Sequence, residues 1–262
     1  MYSNFADDNF FEEQMDMLKS WHYQDEVNDS ETDRCIVFLS DFKILSLFIV
    51  SLFPMVITDC AAANDAINND KSLVPYCEII DTKDVILDDE SPLAAAKKSK
   101  DTSMWKAIES LKNKKADIAL SAGNTGAMLV ISRLLLNTIT GINKPALAAL
   151  WPNQNNMSVV LDLGANIECN EKNLSDFACM GSALFKSLFL NGRPRIALLN
   201  IGLEENKGNE ILKKTYSILK KEKIKNFEFC GYIEGNHIMD GNIDVIVTDG
   251  FTGNIALKTA EG

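Results

Sequence analysis

An α/β fold, built on a mainly parallel sheet with helices on both faces, is the class this sequence predicts. Two observations predict it. From Tyr76 onward, short apolar runs alternate with segments of helical periodicity, the pattern of consecutive strand–helix–strand units. Several runs are apolar throughout rather than alternating, as in strands buried on both faces. A third observation points to function. Four of the runs end in loops that combine glycine with Asn, Asp or Thr, and parallel sheets bind ligands at the carboxyl ends of their strands.

Composition narrows the class. A chain of 262 residues, 46% hydrophobic and 24% charged, is an ordinary globular sequence with material for a large core. Its formal net charge of −11 leaves no basic stripe to neutralise phosphates, so nucleic acid is not an expected partner. The same balance argues against attachment to anionic lipid by charge alone. Cys35, Cys60, Cys77, Cys169, Cys179 and Cys230 are scattered without a C-x-x-C pair, which reads as reduced, mostly buried thiols and an intracellular location. With only His22 and His237 available, neither a His-based triad nor a zinc site is expected. No metal and no cofactor is expected. Asp162, Asp244 and Asp249 are the strand-end carboxylates suited to Mg²⁺, although helix capping is their commoner use.

Two segments divide the chain, 1–75 and 76–262. Residues 1–34 are acidic and patternless, compatible with an amphipathic helix or a disordered tail. Residues 35–57 are the most apolar stretch. Its uninterrupted part is shorter than the ~20 residues of a membrane span and contains Pro54, so a buried core segment is expected, with interfacial membrane contact as the alternative. Beyond it, strands are predicted at 77–81, 118–120, 146–151, 158–163, 195–201, 226–231 and 243–248. Pro92 opens a short helix at the position where proline is tolerated. Asp101, Thr102 and Ser103 offer caps to a helix with Met104, Ile108 and Leu111 on one face. Further helices are expected after residue 126, over 174–190, over 210–221, and in a final turn at 253–258.

The four loops carry the chemistry. The first, Ser121-Ala122-Gly123-Asn124-Thr125-Gly126, leads into a helix bearing Met128, Ile131, Leu134 and Leu135. This strand–loop–helix arrangement aims backbone N–H groups at an anion. The second is Asp162-Leu163-Gly164-Ala165-Asn166. The third begins Asn200-Ile201-Gly202 and runs through Lys207 to Glu210. The fourth is Asp249-Gly250-Phe251-Thr252-Gly253-Asn254. All four are expected at one edge of the sheet, forming a donor-rich cleft for phosphate or a developing oxyanion. Lys207 supplies a cation there, and Asn254, at the start of the last helix, an amide donor. Read singly, each loop is also an ordinary turn, and Lys207 a solvated lysine beside Glu204 and Glu205. Neither G-x-x-x-x-G-K-[ST] nor G-x-G-x-x-G is present.

These motifs, in this order, resemble those of the PlsX-type phosphate acyltransferases of bacterial phospholipid synthesis. The matching stretches are S-A-G-N-T-G-A-M (121–128), D-L-G-A-N (162–166), F-A-C-M-G-S (177–182), L-L-N-I-G-L-E-E-N-K-G-N-E (198–210) and D-G-F-T-G-N-I-A-L-K-T-A-E-G (249–262). The resemblance implies a three-layer α/β/α sandwich similar to phosphotransacetylases and isocitrate dehydrogenases. It implies transfer of a long-chain acyl group from acyl carrier protein to inorganic phosphate, giving acyl phosphate. It further implies a cytoplasmic homodimer in peripheral contact with the inner membrane, feeding a glycerol-3-phosphate acyltransferase. Lys207 and Asn254 fall on the family's important lysine and asparagine and are the expected catalytic residues. Ser121, Gly123, Asn124, Thr125, Gly126, Asp162, Gly164, Asn166, Asn200, Gly202, Asp249, Gly250, Thr252 and Gly253 are the expected phosphate- and substrate-binding set. Two alternatives stay open: an acetyl- or butyryltransferase-like enzyme using acyl-coenzyme A, and an inactive fragment that binds acyl carrier protein.

The sequence departs from the family at both ends. The D-x-M-G-G-D motif after the family's first strand is absent, and Met55-Val56-Ile57-Thr58-Asp59 is followed by Cys60-Ala61-Ala62. Lys97 stands where the family usually carries Arg, losing planar bidentate geometry. The family continues past the position of Gly262. An incomplete site and exposed apolar surface are the expected consequences.

Overall fold

A computed structural model describes residues 35–38, 55–58 and 78–261, except 83, 88–89, 98–99, 117, 122, 190–191 and 222–225. The expectations for residues 1–34, and for most of the apolar segment after them, lie outside the described residues. The chain divides into two compact units. One takes residues up to Val85 together with 100–122, and the other takes 86–99 and 123–262.

The first unit contains a four-stranded parallel sheet. Strands β1 (Cys35–Phe38), β2 (Met55–Thr58), β3 (Glu78–Asp81) and β4 (Ile118–Ser121) are arranged in the order β3-β2-β1-β4. Both ends of the apolar segment 35–57 are therefore strand. In the intervening sequence, α1 (Pro92–Lys97) belongs to the second unit and α2 (Ser103–Lys112) to the first. Thr102 caps α2 as its sequence suggests, its Oγ1 accepting from Trp105 N at 3.4 Å. Met104, Ala107 and Ile108 face inward, and α2 packs against β1, β2 and β4.

The second unit is built on a five-stranded sheet. After α3 (Thr125–Leu135) come β5 (Ala148–Pro152), β6 (Met157–Leu161), α4 (Glu171–Phe189), β7 (Arg195–Asn200) and α5 (Glu210–Lys221). They are followed by β8 (Glu228–Glu234), a 3₁₀ turn (Gly235–Asp240), β9 (Val245–Val247) and α6 (Gly250–Glu261). The strand order is β5-β6-β9-β7-β8, parallel except for β5 against β6. One expectation is corrected here. The strands form two sheets rather than one: β4 pairs with β1 in the first unit, and the strands that carry the other three loops lie in the second. The cause is that β1, drawn from the segment read as divergent, offers β4 a four-residue parallel register.

The core of the second unit explains the apolar runs. Val159, Leu161, Ile196, Leu198, Val245 and Val247 lie on one face with Leu174, Phe177 and Phe185 of α4 and Leu219 of α5. Val160, Ala197, Leu199 and Ile246 lie on the other face with Ile238, Ala256 and Leu257. Successive residues point to opposite faces and both are covered, giving a three-layer arrangement. The amino edge is fastened by charge. Arg195 donates from Nε and Nη2 to Asp244 at 3.1 and 2.9 Å, and its backbone N–H donates to the same carboxylate at 2.7 Å. That carboxylate holds the Arg195 guanidinium pKa above its ordinary value.

Helix α4 lies close against the sheet at Gly181, where an added Cβ would lie 2.5 Å from Val245 Cγ1 and 2.9 Å from Leu161 Cδ2. Gly181→Ala is therefore expected to lower stability by about 1–3 kcal/mol through overpacking, although alanine is the better helix former. Urea denaturation checks this, and a midpoint at or above that of the wild type would refute the packing account.

Candidate functional site

Parallel strands β6, β9 and β7 lie side by side, so the loops that follow them share one edge of the sheet. The loop after β6 is organised by Asp162, which is completely buried. Its Oδ1 accepts from the backbone N–H groups of Leu147, Gly164 and Ala165 at 3.1, 3.1 and 2.9 Å. Oδ2 accepts from Asn166 N at 2.8 Å and Asn166 Nδ2 at 2.7 Å. Five donors on one carboxylate satisfy its acceptor sites and compensate its burial. The Asn166 amide also donates to Pro145 O at 2.7 Å. Both side chains thus shape the loop.

The loop after β9 is seated directly on it. Gly250 N donates to Asn166 O at 2.8 Å, and a Cβ on Gly250 would come within 2.6 Å of that oxygen. A Cβ on Gly253 would collide with the Asp162 carbonyl oxygen, so only glycine lets the first turn of α6 approach this closely. Asp249 caps the helix, accepting from Thr252 N at 2.8 Å and Thr252 Oγ1 at 3.0 Å. Asn254 Nδ2 donates to Leu163 O at 3.1 Å, and Gly164, at φ +139°, lies against the same amide. Asn254 is exposed. An amide nitrogen carries two hydrogens, so one of them and the carbonyl oxygen are left for a ligand.

The loop after β7 carries Lys207. The residue is exposed, and among the described residues its ammonium makes no ion pair. Glu204 O accepts from Lys207 N at 2.9 Å, and Asn200 Nδ2 donates to Lys207 O at 3.3 Å. Gly202 lies against the Lys207 side chain, where a Cβ would meet Cγ at 3.1 Å. Glu205 is paired with α5. It accepts from Lys220 Nζ and, at 2.9 Å, from the Tyr216 hydroxyl. These two partners hold its carboxyl below the ordinary carboxylate range. The link stabilises the fold above that range and fades as pH falls through it. Tyr216 is raised chiefly by burial and then by Glu205.

The remaining expected residues end or follow β4. Ser121 ends β4 in the first unit, whereas Gly123 to Gly126 belong to the second. Asn124 caps α3, its Oδ1 accepting from Ala127 N at 2.9 Å, and its Nδ2 donates to Glu90 O at 2.9 Å. Thr125 and Gly126 open α3, and Gly126 packs against Pro92. Asp244 lies at the amino edge of β9, opposite Asp162 and Asp249. Among the described residues no three His, Cys, Asp or Glu side chains are grouped for a metal ion. His237 pairs with Asp240 at 2.7 Å in the 3₁₀ turn. The tether from Glu205 to α5 escaped sequence reading, since no local pattern links residue 205 to residues 216 and 220.

The arrangement offers an exposed ammonium and a partly free amide on neighbouring loops, over a backbone bent by tightly packed glycines. It suits an anion that must be held against a carbonyl group.

Comparison with known proteins is consistent with this chemistry. The family described as fatty acid synthesis protein matches residues 50–262. A phosphate acyltransferase of Pelagibacter ubique is 64% identical over 185 residues, 71% of this chain and 56% of the relative. One of Rhizobium etli is 44% identical over 194 residues, 74% of this chain and 54% of the relative. The chain spans about half the length of the curated relatives it matches. In three dimensions it is similar to the EutD phosphotransacetylase from Staphylococcus aureus. The TM-score is 0.65 at 15% identity, covering 95% of this chain and 86% of that one. A branched-chain phosphotransacylase from Enterococcus faecalis gives a TM-score of 0.58 at 16% identity, covering 88% and 84%. These likenesses bear out the α/β/α sandwich. With four-fifths of its length matched and identity of this order, the chain belongs to the fatty acid synthesis protein family, whose curated members it resembles are phosphate acyltransferases.

Proposed function

We propose that the chain transfers a long-chain acyl group from acyl carrier protein to inorganic phosphate. The observation that carries this reading is the 64% identity to a phosphate acyltransferase, together with Lys207 and Asn254 on adjoining loops at one sheet edge. In the reaction, a phosphate oxygen attacks the thioester carbonyl carbon. A C–O bond forms, the carbonyl becomes an oxyanion, and collapse breaks the C–S bond to release the carrier's thiolate, which takes a proton. Holding phosphate against the thioester supplies proximity.

Lys207 stabilises the oxyanion by charge, and Asn254 orients phosphate or carbonyl with its free N–H. The glycine loops 123–126, 162–166 and 249–254, with Thr252 and Gly202, surround the phosphate. The family resemblance supports the finer features: a homodimer, a cytoplasmic location with peripheral contact at the inner membrane, and delivery of acyl phosphate to a glycerol-3-phosphate acyltransferase. Among the described residues no helix is long and apolar enough to cross a membrane.

The test is formation of acyl phosphate, trapped with hydroxylamine, from palmitoyl–acyl carrier protein and phosphate, with palmitoyl-coenzyme A as the competing donor. Product from the carrier-protein donor is expected. Folded protein that yields none from either donor would overturn the reading. Lys207→Ala is expected to lower turnover by ~10²-fold or more with an unchanged unfolding midpoint, and wild-type turnover in the variant would remove Lys207 from the mechanism. Asp162→Asn behaves differently, because its new NH₂ confronts backbone donors. It is expected to cost about 2–4 kcal/mol of stability, measured by chemical denaturation. An unchanged midpoint would contradict the organising role of Asp162.

A further inference from the structure

Asn200, the last residue of β7, is 7% exposed, and its two amide atoms are treated very differently. Nδ2 donates to the backbone oxygen of Lys207 at 3.3 Å. Oδ1 is buried, and among the described residues no donor reaches it. It lies where a Cβ on Gly208 would fall, 2.5 Å from that point, and Gly208 has φ +85°. A buried carbonyl oxygen without a donor is costly, and an apolar side chain of similar shape would avoid the cost. The left-handed turn at Gly208 is a second feature that only glycine tolerates well. Both meet on one residue, Lys207, whose carbonyl is gripped by Asn200 and whose next neighbour is bent around it.

We propose that Asn200 is a positioning residue: through its grip on the Lys207 backbone, with Gly208 folded against it, it fixes the direction in which the Lys207 ammonium leaves the loop. This rests on the reading of Lys207 as the oxyanion-stabilising cation. In this proposal Asn200 acts through Lys207, whereas the sequence alone placed it in the phosphate-binding set. Its carboxamide is closed off by Gly208 on one side and committed to Lys207 on the other. The grip is local to the loop, so losing it costs the ammonium its aim more than it costs the fold its stability.

The test uses the whole chain carrying Asn200→Ala, Asn200→Asp or, separately, Gly208→Ala. With palmitoyl–acyl carrier protein and phosphate, Asn200→Ala is expected to lower kcat about 10-fold or more while KM for phosphate changes less than about 3-fold, at an unfolding midpoint no lower than wild type. Asn200→Asp keeps the shape and loses the donor. Its turnover relative to wild type is expected to rise as pH falls from 8 to 5, as the introduced carboxyl regains a proton to give to Lys207 O. A readout independent of activity is tryptic cleavage of the native protein after Lys207, which is expected to quicken about 10-fold in Asn200→Ala and in Gly208→Ala.

Wild-type kcat with an unchanged cleavage rate in Asn200→Ala would overturn the proposal, as would a fall in midpoint that accounts for the lost turnover. Should the wild-type chain form no acyl phosphate, the reading of the reaction fails separately. The cleavage rates then decide alone: faster cleavage at an unchanged midpoint supports the grip, and unchanged cleavage refutes it.

Discussion

The candidate site depends on one buried carboxylate. Asp162 gathers donors from Leu147, Gly164, Ala165 and Asn166, and so converts the end of β6 into a fixed hook. A carboxylate removed from water is tolerated only when its oxygens are fully engaged. Here the engagement also bends the chain. Everything at this edge is then set by contact with that hook. Gly250 binds its far end, Gly253 lies on its near carbonyl, and Asn254 is tied to Leu163 within it. The first turn of α6 thereby acquires a fixed position at this edge of the sheet.

The loop bearing Lys207 is held by another principle. It has no buried charge. Its fastenings are a single amide from Asn200, two glycines in close contact with their neighbours, and Glu205 reaching out to Lys220 and Tyr216 on α5. The outer link is an exposed ion pair, which by itself adds little to stability. Its effect is directional, drawing one acidic side chain of the loop toward α5. The two loops thus differ: rigid backbone geometry holds one, and the other presents an exposed lysine.

Much of this was legible in the sequence because the physics is local. Continuous apolar runs such as Ile196 to Leu199 announced strands covered on both faces, and the described core confirms both coverings. Thr102 and Asp249 were readable as caps from their place before helical periodicity. What escaped was non-local. Nothing near Ser121 tells that β4 joins a separate sheet, because its partner β1 lies in a stretch whose composition suggests only burial. The tie between Asn254 and Leu163 arises from packing across the fold. Asp244 looked like Asp162 and Asp249 in sequence. Register alone puts it at the opposite edge, where Arg195 neutralises it.

The strand order has a consequence for how this sheet comes together. β6 and β7 never pair with each other, since β9 lies between them. Until Val245–Val247 enters, β5 with β6 and β7 with β8 are two separate two-stranded ribbons, each short of hydrogen-bond partners along an open edge. The shortest strand of the sheet is therefore its keystone, and its pairings are remote in sequence, which places closure of the sheet among the slow, high-contact-order events of folding. The same three residues lead straight into Asp249 and α6. The strand that closes the sheet of the second unit is thus the one that leads into its candidate site.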